Sequence, residues 1–384
     1  MMMVILFMTS ALIVISVTTL LNVVMLPHLR TNHGATAAYQ PLVSILIPAR
    51  NEASVISKTI QHLLAQDYTN FELLLLDDSS EDDTVEVAKK AAGGDNRFTV
   101  IPGEPLPTGW MGKNWACHQL QRHATGDILI FTDADVIWAA QALRALVQHM
   151  QKTRADLVTV WPTQHTDTWG ERLVVPLMAM VVVGYLPVIG THYIPLSAFG
   201  AANGQCMAWR RNAYDQVGGH QAVSDNVLED VTLARMVKAN ALRLRMADGG
   251  NLIRCRMYDG WPAVRDGFAK NILAGYGNSI PLLMIATVFH WLLFIYPWAW
   301  LIFGGIEPHP MGPLSLIAMG ILIRGLTAAY SQQRVPDALL LPISVILMTR
   351  IAMQSIYWQV RHGGPQWKGR VVRRNRTARN TTHG

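Results

Sequence analysis

Apolar and polar positions follow two different rhythms along this chain. Residues 1–26, residues 173–189 and three runs after Ile280 are long apolar stretches with few or no charges. Between Leu42 and Arg172 the apolar runs are short, and polar, glycine- and proline-containing segments separate them. Residues 43–48 (VSILIP), 72–76 (ELLLL), 98–101 and 127–132 (DILIFT) read as strands. The second and fourth are near-continuous apolar runs, as expected of strands buried on both faces. Residues 53–66 carry Val55, Ile56, Ile60, Leu63 and Leu64 at helical spacing, and further helices are predicted up to about Ala92 and over 115–124. Asp82 or Ser80 is placed to cap the second helix. Strand, helix, strand, helix in this order predicts an α/β domain with a parallel sheet and right-handed crossovers.

The apolar runs change the picture from a soluble domain to a membrane-attached one. Of 384 residues, 51% are hydrophobic and only 15% charged, lean in charge for a soluble protein. Too little of the chain is apolar for a transporter. Residues 1–26 hold no charge and are about long enough to cross a bilayer. They lack the basic start and small-residue cleavage site of a secretory signal, so the segment is predicted to be retained as a transmembrane helix over 1–27. Arg30 is the first basic residue, which puts the N-terminus outside and Arg30 itself in the cytoplasm. The net charge of +6 is concentrated in residues 361–384, with seven basic side chains and no acid. Because this basic tail (360–384) comes after an apolar segment, contact with anionic lipid is predicted rather than with nucleic acid. Cys117, Cys206 and Cys255 have no metal-type spacing.

Two acidic pairs fall where predicted strands leave the sheet, Asp77/Asp78 after the second and Asp133/Asp135 after the fourth. Ligands bind at such exits in open α/β folds. No GxGxxG comes after the first strand, and GxxxxGK[ST] does not occur. A nucleotide held without a glycine cradle needs carboxylates for base or ribose and a metal for its diphosphate. Paired aspartates suit a hard divalent cation that keeps water and phosphate oxygens as its other ligands.

PARNE (48–52), LLDDSSEDDT (75–84), FTDAD (131–135) and LED (228–230), in this order and spacing, resemble family 2 glycosyltransferases of the GT-A fold. The resemblance covers roughly residues 42–277. With GWMGKNWACHQL (109–120) and the flanking apolar segments, it is nearest to the lipid-modifying branch that includes carotenoid and hopene-associated glycosyltransferases. It implies a catalytic domain over 40–277, a nucleotide-sugar donor (a UDP-sugar), a lipid acceptor, and Mg2+ or Mn2+. It further implies that Asp77 or Asp78 binds the base, that Pro48, Arg50 and Glu52 border the nucleotide, and that Asp133 and Asp135 hold the metal. Lys113 would add charge near the phosphates. Glu229 and Asp230 match the family's Glu-Asp motif, with Asp230 as general base for an inverting transfer to a lipid hydroxyl or carboxyl. The Gln-x-x-Arg-Trp of processive synthases is missing, which argues against a polymerising enzyme. The alternatives are a polyprenyl-phosphate glycosyltransferase and a catalytically inert lipid-binding scaffold.

Those roles constrain the membrane segments. Asp135 and Asp230 must share one site, so residues 173–189 cannot cross once. The apolar segment 173–199 is expected to lie in the interface or re-enter, and 261–271 to form an interfacial amphipathic helix. Residues 280–306 are predicted to span. Within 280–359, the segments 314–330 and 338–359 are interrupted by Arg324 and Arg350, and one of the two is expected to be interfacial. The layout predicts a multi-pass protein of the inner (plasma) membrane with a cytoplasmic catalytic domain.

Overall fold

In the computed structural model, which describes residues 2–31, 40–304 and 311–364 and the backbone of 366–367 and 370–371, seven strands make one sheet. They are β1 (Val43–Ala49), β2 (Phe71–Asp77), β3 (Phe98–Pro102), β4 (Ile128–Thr132), β5 (Leu157–Trp161), β6 (Cys206–Arg210) and β7 (Leu244–Asp248). Their spatial order is β3-β2-β1-β4-β6-β5-β7. β1 pairs parallel with β2 and β4, β2 with β3, and β5 with β7. β6 runs antiparallel between β4 and β5. The central strands are apolar on both faces because both are covered: Ile45, Leu46, Ile47, Leu73, Leu75, Leu76, Leu129 and Ile130 expose no surface. Each such side chain contributes about 1.5–3 kcal/mol by leaving water. The chain builds β1 to β3 outward and then returns to set β4 on the other side of β1. The strand order therefore reverses between β1 and β4, where a crevice opens at the strands' carboxyl ends.

Helices Ile56–Leu64, Thr84–Ala92 and Gly112–His123 make the crossovers. The cap expected from Asp82 or Ser80 is corrected: the N-cap position is Asp83, without a side-chain cap, and Asp82 just before it accepts the Thr84 amide at 3.1 Å. The first helix starts three residues later than its apolar spacing implies, because the Glu52 carbonyl takes the Val55 and Ile56 amides in a turn. The third starts three residues earlier, which puts Lys113 on a first helical turn instead of in a loop. This sheet unit comprises Leu26–Thr163 and Ile189–Arg256.

A second unit comprises Met1–Met25, Gln164–Val188 and the chain from Met257. Helix Gly260–Gly275 belongs here, not with the sheet to residue 277: its Val264, Phe268 and Ala269 are buried with Val174, Val175 and Ile351. Among the described residues three helices are long and apolar enough to cross a membrane, Met2–Met25, Gly312–Tyr330 and Val335–His362. The apolar run expected to span over 280–306 is divided into two helices. Helix Ile280–Phe294 stops at Ile295 and a short helix, Tyr296–Phe303, comes next. Pro297, which lacks an amide proton, sits at that restart. Ile280–Phe294 instead forms a bent pair with Gly260–Gly275, at 112°. Residues 305–310 and the basic tail beyond Gly364, apart from two backbone pairs, lie outside the described residues.

The apolar segment after residue 164 is broken into pieces, Trp169–Val174, Leu177–Met180 and a π-helical turn, Val181–Tyr185. A break leaves carbonyls without partners. Asn22, in the otherwise apolar N-terminal helix, meets that need. Its amide nitrogen donates to the carbonyls of Val183 at 2.9 Å and Leu186 at 2.6 Å, and its oxygen accepts the Val188 amide at 3.3 Å.

Candidate active site

The crevice at the β1/β4 reversal gathers the acidic residues. β4 ends at Thr132 and releases Asp133 and Asp135; β1 ends at Ala49 and releases Arg50 and Glu52. β6 runs backwards, so its leading end arrives at this edge: the Gln205 carbonyl accepts the Asp133 amide at 3.2 Å and the Thr132 hydroxyl at 3.1 Å. Strand Val136–Trp138 pairs antiparallel with Ile253–Cys255, which brings Cys255 opposite Val136. Gln205 donates to the Cys255 sulfur at 3.1 Å.

Helix Glu229–Ala239 supplies the opposite wall, with Glu229 and Asp230 in its first turn. Lys113 bridges the two walls. Its ammonium lies 2.8 Å from Asp133 Oδ1 and 3.4 Å from Glu229 Oε1. Burial alone would depress the Lys113 ammonium, but Asp133 and Glu229 outweigh it and hold its pKa well above the ordinary value. Asp230 is pinned by the backbone: the Gly204 amide donates to Oδ2 at 2.8 Å and the Val231 amide to Oδ1 at 2.7 Å. Burial, then the charge of Glu229, pushes the Asp230 carboxyl up from 3.8 to about 7, against the pull of Lys113 and both amides. A Cβ added to Gly204 would lie 3.4 Å from Asp230 Oδ2, Glu229 Oε1 and Lys113 Nζ, so the backbone here passes directly over the charged cluster.

The donor set fits a divalent cation. Asp135 Oδ1 is buried without a hydrogen-bond partner. Its carboxyl is raised to about 7, first by burial and then by Asp133, with Glu52 adding to the repulsion and the Cys255 thiol opposing it. An orphaned carboxylate oxygen beside further carboxylates calls for positive charge. Among the described residues no three His, Cys, Asp or Glu side chains are arranged to hold an ion by themselves. The remaining ligands would then come from water and substrate oxygens, as a hard cation allows.

The first two strand exits are laced together. Asn51, at φ 54°, accepts the Glu81 amide at 2.7 Å, and its own amide donates to the Ser80 hydroxyl at 3.0 Å. Asp77 closes its turn by accepting the Ser80 amide at 3.2 Å. Asp78 instead faces Arg50, 3.7 Å away, and Arg50 also donates to the Asp78 carbonyl at 3.1 Å. Pro48 is half-buried within β1, opposite Leu76.

Three participants escape a reading of motifs. Gly204 acts through its amide, which leaves no side-chain signature. Asn114 is buried and donates to the carbonyls of Val223, Ser224 and Asn226, tying the Lys113 helix to the loop before Glu229. Cys255 reaches Asp135 only through the small strand pair. His220 is buried, bonded to the Tyr214 hydroxyl at 2.7 Å, and depressed by burial to about 3.

Residues 44–217 match the family model described as glycosyl transferase family 2. The chain carries a family 2 glycosyltransferase domain. This glycosyltransferase is 26% identical over 348 residues to the 4,4'-diaponeurosporenoate glycosyltransferase of Staphylococcus aureus strain USA300, covering 85% of this chain and 87% of that protein. Its fold is of the GT-A type. A solved mannosyltransferase of Pyrobaculum calidifontis, in complex with GDP-Man and Mn2+, superposes with a TM-score of 0.51 at 18% identity, over 92% of this chain and 98% of that one.

Proposed function

We propose that this membrane-associated glycosyltransferase moves a sugar, with inversion, from a nucleotide-sugar to the hydroxyl or carboxyl of a membrane lipid. The observation that carries the reading is Asp230: a carboxylate fixed by two backbone amides and raised to about 7, on the wall facing Asp133 through Lys113. A base near neutrality combines the ionised form with useful proton affinity. Asp230 takes the proton of the acceptor hydroxyl as that oxygen bonds the anomeric carbon. The bond from that carbon to the diphosphate breaks, and the nucleoside diphosphate leaves. One displacement on one face inverts the anomeric centre.

Asp133 and Asp135 would hold Mg2+ or Mn2+, which supplies Lewis-acid stabilisation of the leaving diphosphate when bound. Lys113 contributes a fixed positive charge on the same wall, and Asp77, Asp78, Arg50 and Glu52 frame the nucleoside side. A lipid acceptor is supported by the three long apolar helices and by the relative whose name specifies a carotenoid acid. Arg30, just after the first of those helices, supports a multi-pass arrangement in the inner membrane with the sheet unit cytoplasmic.

The test is Asp230→Asn, assayed with labelled nucleotide-sugars on lipid extracts. Transfer to a hydroxyl acceptor should fall about 10²–10⁴-fold. Near-full activity on that acceptor removes the base role, and retention of the donor's anomeric configuration in the product removes inversion.

A further inference from the structure

The two aspartates after β4 are not equally open. Asp135 Oδ1 is buried without a hydrogen-bond partner, whereas Asp133 Oδ1 already carries a cation, the Lys113 ammonium at 2.8 Å. That ammonium also lies 3.4 Å from Glu229 Oε1, and a Cβ added to Gly204 would stand 3.4 Å from it. Carboxylates thus meet Lys113 from both walls of the crevice. Two cations on one carboxylate oxygen repel each other over a distance too short for salt to screen. A metal ion taken up by Asp133 and Asp135 therefore competes with the Lys113 ammonium for Asp133.

The helix that carries Lys113 is held in place. The Asn114 side-chain nitrogen donates to the carbonyls of Val223, Asn226 and Ser224 at 2.7, 3.0 and 3.2 Å, and the Met111 amide donates to the Ser224 carbonyl at 2.7 Å. The Lys113 side chain is what can yield, since 38% of its surface is exposed, beside 30% for Asp133. Lysine suits such a move. Its charge is compact, its stem has four flexible carbons, and its three donors rotate onto whatever oxygen comes near. An ammonium leaving Asp133 needs new acceptors, and phosphate oxygens are strong ones.

We propose that Lys113 is a placeholder cation: it neutralises Asp133 until a divalent metal ion binds there, and then passes to the diphosphate of the nucleotide-sugar. The inference rests on the nucleotide-sugar and metal reading above. Its consequence is a coupling between two ligands. Without a diphosphate, Lys113 gives up Asp133 and gains no partner, so the metal site is weak. With one, the departing ammonium finds phosphate oxygens, and the metal site strengthens. By linkage, the metal tightens nucleotide binding by the same factor.

The experiment uses full-length protein in detergent, with Mg2+, Mn2+ and UDP as probes. Reductive methylation by formaldehyde and cyanoborohydride is followed by mass spectrometry on the peptide holding Lys113. Methylation of Lys113 should be slow on the protein alone, rise several-fold with saturating Mg2+, and fall again when UDP joins the Mg2+. Lys89 and Lys90, exposed on helix Thr84–Ala92, should label equally in all three conditions. Electron paramagnetic resonance titration with Mn2+, without nucleotide, should show Lys113→Met binding the ion on the order of tenfold more tightly than wild type. A lysine that only props Asp133 in place gives the opposite sign, so equal or weaker binding by Lys113→Met would overturn the proposal. Methylation indifferent to Mg2+ would overturn it too, because Lys113 would then stay on Asp133. Mn2+ binding by neither protein, even with UDP present, would instead strike the metal reading of Asp133 and Asp135 and the exchange together.

Discussion

Asp230 is a carboxyl group whose ionisation the fold resists, and that resistance shows in both rate and stability. With its pKa raised from 3.8 to about 7, kcat/KM for a hydroxyl acceptor should climb with pH through about 7. Lys113 is one of the groups pulling that value down, so Lys113→Met should move the acidic limb of the profile to higher pH and raise the donor KM. A limb that stays put would separate Lys113 from Asp230 electrostatically. The stability effect has the opposite sense. The folded state holds the Asp230 proton more tightly than the unfolded chain does, so this contribution is complete below pH 4 and is lost as pH rises through 7. Asp230→Asn should therefore raise the melting temperature at pH 8 and leave it nearly unchanged at pH 4, a trade of stability for function measurable by thermal unfolding in detergent.

Among the elements, what reads from sequence depends on whether the signal is local. β1, β2 and β4 are apolar runs covered on both faces, and their ends at Ala49, Asp77 and Thr132 lie within a residue or two of where those runs stop. The acidic residues come directly after the same ends. β6 is different. CMAWR is as apolar as a parallel strand, and nothing in its composition reports that it runs backwards. That depends on the chain returning from 164–199, a long-range connection. The break at Ile295 escapes a sequence reading because apolar content is continuous across it; only Pro297 marks it. Asn22 is visible as a polar residue in an apolar helix, but its partners lie 160 residues away in sequence. Asn22→Leu would leave the Val183 and Leu186 carbonyls and the Val188 amide unpaired, at about 1–3 kcal/mol per buried group. A lower melting temperature in detergent and faster proteolysis within 181–188 are expected, with Asn22→Ser an intermediate case. Wild-type stability of Asn22→Leu would mean water serves those groups.

For the whole molecule, the long apolar helices and the acidic cluster belong to different stretches of one chain that alternate in sequence. The sheet unit is interrupted once, between Thr163 and Ile189, by a segment of the helical unit. A cytoplasmic sheet unit predicts that a tag fused before Met2 is cleaved by protease added to intact spheroplasts, while a loop tag at the exposed Asp225 is cleaved only after lysis. Cleavage of the Asp225 tag with protection of the N-terminal tag in intact spheroplasts would reverse the orientation. The reversed strand β6 gives this interruption a meaning of its own. Because its first residues reach the acidic edge, the backbone arrives at Gly204 directly after 189–203, and that amide is the one holding Asp230. The helical-unit segment and the backbone donor of Asp230 are thus wired in series along a single run of backbone, so, on the proposed base role, inserting residues between Phe199 and Gly204 should uncouple acceptor-dependent turnover from donor hydrolysis without touching a single acidic side chain.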